Sequence, residues 1–211
     1  MDFMWGFEGV GHSKTQTGLP FHGEAAMIDD TYLTGKVVYK THPFIEHFKF
    51  VKALEDENTV AKLTIPAPAQ FIEQMIMPFA WENSKKFYET TEELAEDIAK
   101  GYQQFIQDIY EAGCRNLQFD DERSGGFESL AKVSGDKKVV LGLITTKSPK
   151  LEDKEAVIQR IREAAKYLPL DRLYLSPQCG FASCEIGNKL TEEEQWAKLA
   201  LVKEIAEEVW G

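Results

Sequence analysis

Short apolar runs alternate with long segments of helical periodicity from about residue 60 to the end of the chain. The apolar runs predict four strands, over residues 60–65, 114–119, 138–144 and 173–175. The helical segments predict three helices, over 91–112, 153–168 and from about Thr191 onwards. The first is expected to start at a capping box of Thr90 and Glu93 and to present one apolar face, of Leu94, Ile98, Phe105 and Ile109. The last has Glu194 three residues after Thr191 and is expected to bury Trp196, Leu199, Val202, Ile205 and Val209. Strands that alternate with long helices are typical of strand–helix units in a parallel sheet or barrel.

The first 60 residues are rich in aromatic residues and glycines, and their patterning is less regular. The run TGKVVY at 34–39 predicts a strand, and Pro43 suits the first turn of a helix over 43–54. Prolines at positions 66 and 68 predict that the strand at 60–65 ends in a loop. We interpret this loop, 64–71, as a connection without catalytic groups.

The predicted units are too few for a complete barrel. A (β/α)8 barrel takes about 250 residues, whereas this chain has 211 residues and about four clear strand–helix units. No internal repeat, low-complexity tract or flexible linker divides the sequence. We therefore predict one α/β domain over residues 1–211, either a TIM-barrel-like (β/α)8 fold that lacks some units or a smaller open sheet.

The composition narrows the class of function. The chain has 35 Asp and Glu against 24 Lys and Arg, a net charge of −11 that argues against nucleic-acid binding. No apolar run approaches the roughly 20 residues of a membrane span, and MDFMWGFEGVGHSK lacks the order of a signal peptide. Three irregularly spaced cysteines do not indicate a disulfide framework. We expect a cytoplasmic protein that acts on small molecules, without nucleic-acid or membrane partners.

Polar residues follow the predicted strands, where parallel α/β folds place their functional groups. In FDDERSGG, the carboxylate of Asp120 or Asp121 is suited to bind the ammonium group of a substrate. Glu122 is suited to ligate a metal ion or to act as a general base. Arg123 and Ser124 suit a carboxylate or phosphate, because guanidinium binds such groups through paired hydrogen bonds. The alternative is a solvated acidic turn with internal salt bridges.

Cys179 comes directly after the last predicted strand, in SPQCGFASC. As a thiolate, this residue is suited to act as a zinc ligand or as a nucleophile. The alternative is that it is a buried, inert thiol. We interpret Cys114 and Cys184 as core residues. The histidines, at positions 12, 22, 42 and 47, have no metal-binding spacing and are expected to be structural or exposed. The chain has no GxGxxG, GxxxxGK[ST] or GxSxG motif of nucleotide-binding proteins or serine hydrolases.

Several segments resemble the catalytic domain of cobalamin-independent methionine synthase, in particular its short single-domain relatives. LYLSPQCGFAS is similar to the last-strand motif of that family, whose cysteine binds the catalytic zinc, and this residue is Cys179 here. LQFDD is similar to the strand whose terminal acidic residue contacts the amino-acid substrate, which points to Asp120 or Asp121. FDDERSGGF, KVVLGLITTKSPKLEDKEAVIQRI and FMWGFEGV extend the resemblance through nearly the whole chain.

The resemblance implies a (β/α)8 barrel and a methyltransferase reaction. In the family, a zinc ion held by His, two Cys and Glu activates the thiol of homocysteine. The thiolate takes the methyl group of 5-methyltetrahydrofolate and gives methionine. Zinc suits this role because it lowers the pKa of a bound thiol, so that a thiolate exists at neutral pH.

The sequence departs from the family at the other zinc ligands. No histidine lies two residues before a cysteine, so the HxC motif is absent, and Gln118 stands where relatives carry a glutamate ligand. We interpret Asp120-Asp121 as the junction of two similar strand ends whose intervening strand–helix units are lost. The unit that precedes MDFMWG in relatives is also missing. The chain is therefore expected to have weak or no methyltransferase activity.

Two alternatives remain open. Missing strands leave open sheet edges and an uncovered apolar face, which promote association, so the first alternative is a non-catalytic remnant that forms homo-oligomers. The second is a related methyltransferase that retains Cys179 and accepts a different thiol.

Overall fold

The computed structural model describes residues 2–14, 19–21, 24–26, 29–120, 127–182 and 187–211. Its strands are β1 Glu8–Ser13, β2 Leu19–Phe21, β3 Glu24–Ala26, β4 Asp30–Val38, β5 Leu63–Pro66, β6 Leu117–Asp120, β7 Val139–Ile144 and β8 Leu173–Pro177. Its α-helices are α1 Pro43–Lys52, α2 Pro68–Ile76, α3 Pro78–Ser84, α4 Thr91–Glu111, α5 Lys154–Ala164 and α6 Glu192–Trp210.

Two compact units make up the chain. The first comprises Met1–Gln16 and Met27–Arg123, and the second comprises Thr17–Ala26 and Ser124–Gly211. Each unit has its own hydrophobic core. The assignment of residues 1–211 to one domain stays a prediction.

An antiparallel strand pair opens the first unit. β1 pairs with β4, and the register shifts between Glu8 and Val10. Gly9 lies at this shift with a φ of +82°, and a Cβ there would collide with the Lys36 carbonyl. β4 contains most of the strand predicted at 34–39, whereas β1 was not predicted. The aromatic residues of this irregular segment contribute to the core of the unit, including Phe3, Phe7 and Phe48.

Prolines begin three helices of this unit. Pro43 opens α1 as predicted, with the His42 side chain accepting a hydrogen bond from the Phe44 backbone N–H. The loop predicted at 64–71 is wrong in its second half, because Pro68 opens α2, and Pro78 opens α3. A proline suits the first helical turn because its missing N–H has no helical partner there.

β5 and β6 form a parallel pair that carries one candidate residue. Ile65 lies opposite Phe119, and Pro66 lies opposite Asp120. The long helix α4 begins after Thr90, whose side chain accepts from the Glu93 N–H, and ends within one residue of the predicted end. Its predicted apolar face is buried in the core of the unit, through Leu94, Ile98, Phe105 and Ile109.

The second unit has a second parallel pair, β7 with β8, and the short antiparallel pair of β2 with β3. Leu141 and Leu173 are buried in a core with residues of α5 and α6. The cross-strand pair Val140 and Tyr174 has the opposite orientation, and these side chains are 47% and 41% exposed. One face of this sheet is therefore covered by helices and the other is open.

Helix α6 packs Val202, Ile205 and Val209 against the core of the unit, as predicted, but not Trp196. Its N-terminus has the expected capping box between Thr191 and Glu194. Trp196, predicted to be buried, is 61% exposed, and the buried positions are Lys198, Leu201 and Ile205. The burial of Lys198 was not predicted, because lysine is almost never fully buried unless it is paired.

The described residues form two-stranded sheets and no closed barrel. None of the described helices is long and apolar enough to cross a membrane.

Candidate functional site

Asp120 lies at the carboxyl end of the β5–β6 pair. Its backbone carbonyl accepts a hydrogen bond from the Ala67 N–H at 2.7 Å, immediately before α2 begins. Its side chain is exposed, as is that of Phe119, the residue before it on β6. The carboxylate therefore stands at the strand edge where α/β proteins bind ligands.

Gln118 links Asp120 to a cation. Its Nε2 donates to Asp120 Oδ1 at 2.8 Å, and its Oε1 accepts from Lys62 Nζ at 3.1 Å. The side chain at this position is therefore a neutral amide held by two hydrogen bonds. It lacks the negative charge that a glutamate would bring to a metal ion.

The other residues predicted on this acidic loop are Asp121, Glu122, Arg123 and Ser124, and they lie outside the described residues. Cys184 and His22 lie outside them as well. The roles suggested for these side chains stay predictions.

Cys179 lies on a tight turn at the carboxyl end of β8. Cys179, Gly180 and Phe181 have φ values of 50°, 54° and 67°, a left-handed conformation that is unfavourable for the two residues with side chains. The Cys179 thiol is exposed and forms no disulfide, so the alternative of a buried thiol is wrong. Cys114, in contrast, is buried as expected.

A buried threonine connects the turn to the neighbouring strand. Thr146 follows β7, and its Oγ1 donates to the Gln178 carbonyl at 2.9 Å and accepts from Asn188 Nδ2 at 2.6 Å. Gln178 Nε2 donates in turn to the Gly142 carbonyl of β7 at 2.9 Å. The ends of β7 and β8 are thus joined by side-chain hydrogen bonds beyond their sheet pairing.

The described residues do not bring together a metal site. Among them, no group of three or more His, Cys, Asp or Glu side chains is placed to hold an ion. Asp120 belongs to the first compact unit and Cys179 to the second. His42 is buried in the first unit, and the rings of His12 and Trp5 stack 4.0 Å apart, so both have structural contacts as expected.

The polar residues around Cys179 were not predicted from the sequence. Thr146 carried a usable signal, because it is a polar residue close behind a continuous apolar strand. Asn188 carried none, because 42 positions separate it from Thr146 and no spacing rule pairs them.

These features define an α/β protein with parallel strand pairs, helices against one sheet face and polar residues at the carboxyl ends of the strands. Residues 101–208 match the family model of the cobalamin-independent synthase catalytic domain. The Bacillus subtilis (strain 168) protein YxjH is 31% identical over an alignment that covers 99% of this chain and 77% of YxjH. The chain belongs to the catalytic-domain family of cobalamin-independent methionine synthase, as its motifs predicted.

Solved structures extend the likeness to the whole fold. A candidate vitamin-B12 independent methionine synthase from Listeria monocytogenes matches with a TM-score of 0.59 and 30% identity, over 100% of this chain and 78% of that chain. A B12-independent methionine synthase from Shewanella sp. W3-18-1 matches with a TM-score of 0.57 over 98% of this chain and 77% of that chain, and its 16% identity supports the fold alone. These neighbours are TIM barrels, so the prediction of an incomplete barrel-like fold is confirmed.

The relatives also indicate how much of the barrel is absent. The alignment with YxjH runs over 297 positions, whereas this chain has 211 residues, a difference of 86. At least that many aligned positions of YxjH therefore have no counterpart in this chain. The difference agrees with the shortage of strand–helix units in the sequence.

Proposed function

We propose that this chain is a thiol-directed methyltransferase domain whose acceptor is homocysteine and whose methyl donor is 5-methyltetrahydrofolate. The observation that carries the proposal is the exposed, unpaired Cys179 thiol, which follows the last strand within the family match. A thiol at the end of a barrel strand lies where this class of fold places its chemistry.

Asp120 is the described residue that suits recognition of the amino acid. Its exposed carboxylate, at the end of β6, can pair with the substrate ammonium through charge-assisted hydrogen bonds. The Shewanella neighbour is in complex with selenomethionine, an amino acid of the same class. We propose that Asp121 assists Asp120 and that Arg123 and Ser124 hold the substrate carboxylate.

The described residues do not fit a complete catalytic zinc site. Zinc in proteins takes three or four ligands, usually Cys, His, Asp or Glu. Cys179 suits one ligand, but Gln118 is an amide engaged with Lys62 and Asp120, and the sequence has no HxC motif. We therefore assign no reaction step to zinc in this chain, and we expect methyl transfer to homocysteine to be weak or absent.

Homocysteine binding tests the proposal without requiring turnover. In isothermal titration calorimetry, we expect wild-type protein to bind reduced homocysteine and Asp120→Asn to bind it about tenfold or more weakly. The loss follows from removal of a charged hydrogen-bond partner, worth about 1.5–3 kcal/mol.

The matched control is Asp136→Asn, an exposed aspartate of the second unit, which should leave the affinity unchanged. Absence of homocysteine binding by the wild-type protein would contradict the proposal. Equal affinities of the wild-type protein and Asp120→Asn would contradict the role of Asp120.

A further inference from the structure

The turn at Cys179–Phe181 needs support from the surrounding structure. A left-handed conformation costs roughly 1–2 kcal/mol for each residue that has a Cβ, and two such residues occur here on either side of Gly180. Within the turn, the Ala182 N–H donates to the Cys179 carbonyl at 3.0 Å. This single backbone bond does not tie the turn to the rest of the unit.

Among the described residues, two side chains connect the turn to β7 and the segment after it: Gln178, which donates to the Gly142 carbonyl, and Thr146. Thr146 is fully buried, and its Oγ1 donates to the carbonyl of Gln178, the residue before Cys179. The same oxygen accepts from Asn188 Nδ2, while the Asn188 backbone N–H donates to the Phe181 carbonyl at 3.2 Å. The two ends of the turn are therefore fixed through Thr146, directly at Gln178 and through Asn188 at Phe181.

We propose that Thr146 and Asn188 are positioning residues that hold the Cys179 thiol at the carboxyl end of β8. The proposal rests on the proposed function, because it takes Cys179 as the functional thiol. A buried hydroxyl without partners is unfavourable, so Thr146 satisfies both its donor and its acceptor capacity only while the turn stays closed. The hydrogen bonds thus couple the threonine to one conformation of the turn.

The hydroxyl of Thr146 can be removed with little change of shape. Thr146→Val keeps the branched side chain and deletes the donor and acceptor, whereas Thr146→Ser keeps the hydroxyl and serves as the rescue. Thr145→Val is the matched control, because within the described part of the chain the Thr145 hydroxyl makes a single local bond, accepting from the Lys147 N–H at 3.3 Å. Asn188→Ala is a second, independent variant that removes the side-chain donor from the same network.

Nuclear magnetic resonance of the full chain gives two readouts. Amide hydrogen exchange at Ala182 and Asn188 should be about tenfold or more faster in Thr146→Val and Asn188→Ala, because local opening exposes these amides. The Cys179 backbone shifts and HN–Hα coupling should lose the signature of a positive φ. Thr146→Ser and Thr145→Val should resemble the wild-type protein in both readouts.

The readouts also separate a local effect from general unfolding. Amides in the middle of α5 should exchange at wild-type rates in every variant that supports the proposal. Wild-type exchange rates at Ala182 and Asn188 in both Thr146→Val and Asn188→Ala would overturn the proposal. Faster exchange throughout α5 would also overturn it, and so would a failure of Thr146→Ser to restore the wild-type rates. Because none of these signals depends on homocysteine, failure of the positioning role and failure of the methyltransferase proposal are distinguishable.

Discussion

At the scale of single residues, His42 is a buried titratable group of the first unit. Its Nε2 lies 2.8 Å from the Phe3 carbonyl, and its Nδ1 accepts from the Phe44 N–H at 3.2 Å. Both contacts require a neutral ring that carries its proton on Nε2. Burial, which outweighs the hydrogen bond to Phe3, lowers the pKa of His42 below its usual value.

This shift predicts a loss of stability in mild acid. Because the folded pKa is below the unfolded value of about 6.5, the unfolded chain takes up a proton first as the pH falls. The contribution of His42 is complete above that value, and we expect the free energy of unfolding to fall as the pH drops from 7 to 5. Urea unfolding at several pH values measures this change.

Asn at position 42 removes the titrating group. The free energy of unfolding of His42→Asn should be lower than that of the wild-type protein but less dependent on pH in this range. His47→Asn, at an exposed position, removes only the smallest of the three influences on the pKa of His42 and should retain most of the wild-type dependence. Equal pH dependence in His42→Asn and the wild-type protein would refute this explanation.

At the scale of elements, a buried ion pair anchors α6. Lys198 is 0% exposed, and its Nζ donates to the Lys150 carbonyl at 2.7 Å and to Glu152 Oε2 at 3.0 Å. Glu152 Oε1 also accepts from the Thr145 N–H at 2.8 Å, just beyond β7. The helix is thereby tied to the same strand end that supports the Cys179 turn.

Loss of this ammonium group should be costly although methionine fills a similar volume. Lys198→Met leaves Glu152 and the Lys150 carbonyl without their partner, so we expect the free energy of unfolding to fall by about 2–4 kcal/mol. Lys203→Met removes an exposed lysine whose contact with Glu207 is 3.7 Å long, and it should change stability by less than about 0.5 kcal/mol. Chemical unfolding of both variants checks the prediction, and equal losses would contradict it.

The same elements show where sequence patterns are informative. The starts of α4 and α6 were predictable, because Thr90 and Thr191 cap them through local hydrogen bonds. The helix at Pro68 was missed because a proline after an extended residue is compatible with a loop or a helix start. The place of Lys198 on the buried face of α6 was not predictable, because its burial depends on a partner 46 positions away.

At the scale of the whole molecule, the two candidate residues at strand ends could be predicted from the sequence. The hydrogen bonds that hold the turn at Cys179 could not. The acidic and cysteine motifs located Asp120 and Cys179 because they directly follow apolar strands. The hydrogen bonds of Thr146 with Asn188 arise from folding and have no local pattern. The sequence itself shows that the HxC motif is absent. Separately, the described residues contain no cluster of side chains placed to hold a metal ion.

Association of the chain into homo-oligomers stays a prediction. Parallel sheets are normally covered on both faces, whereas Val140 and Tyr174 are exposed on one face of the β7–β8 pair. The relatives have at least 86 aligned positions that this chain lacks, which agrees with an incomplete cover.

The central claim is that this chain is a methionine-synthase-type domain with an incomplete zinc site. The most direct measurement is the zinc content of purified protein, by mass spectrometry of the metal, on a sample whose intact mass matches 24.0 kDa. We predict well below one zinc ion per chain after dialysis against zinc-free buffer. One tightly held zinc ion per chain, lost in Cys179→Ser, would contradict the claim and establish that the chain assembles a complete site.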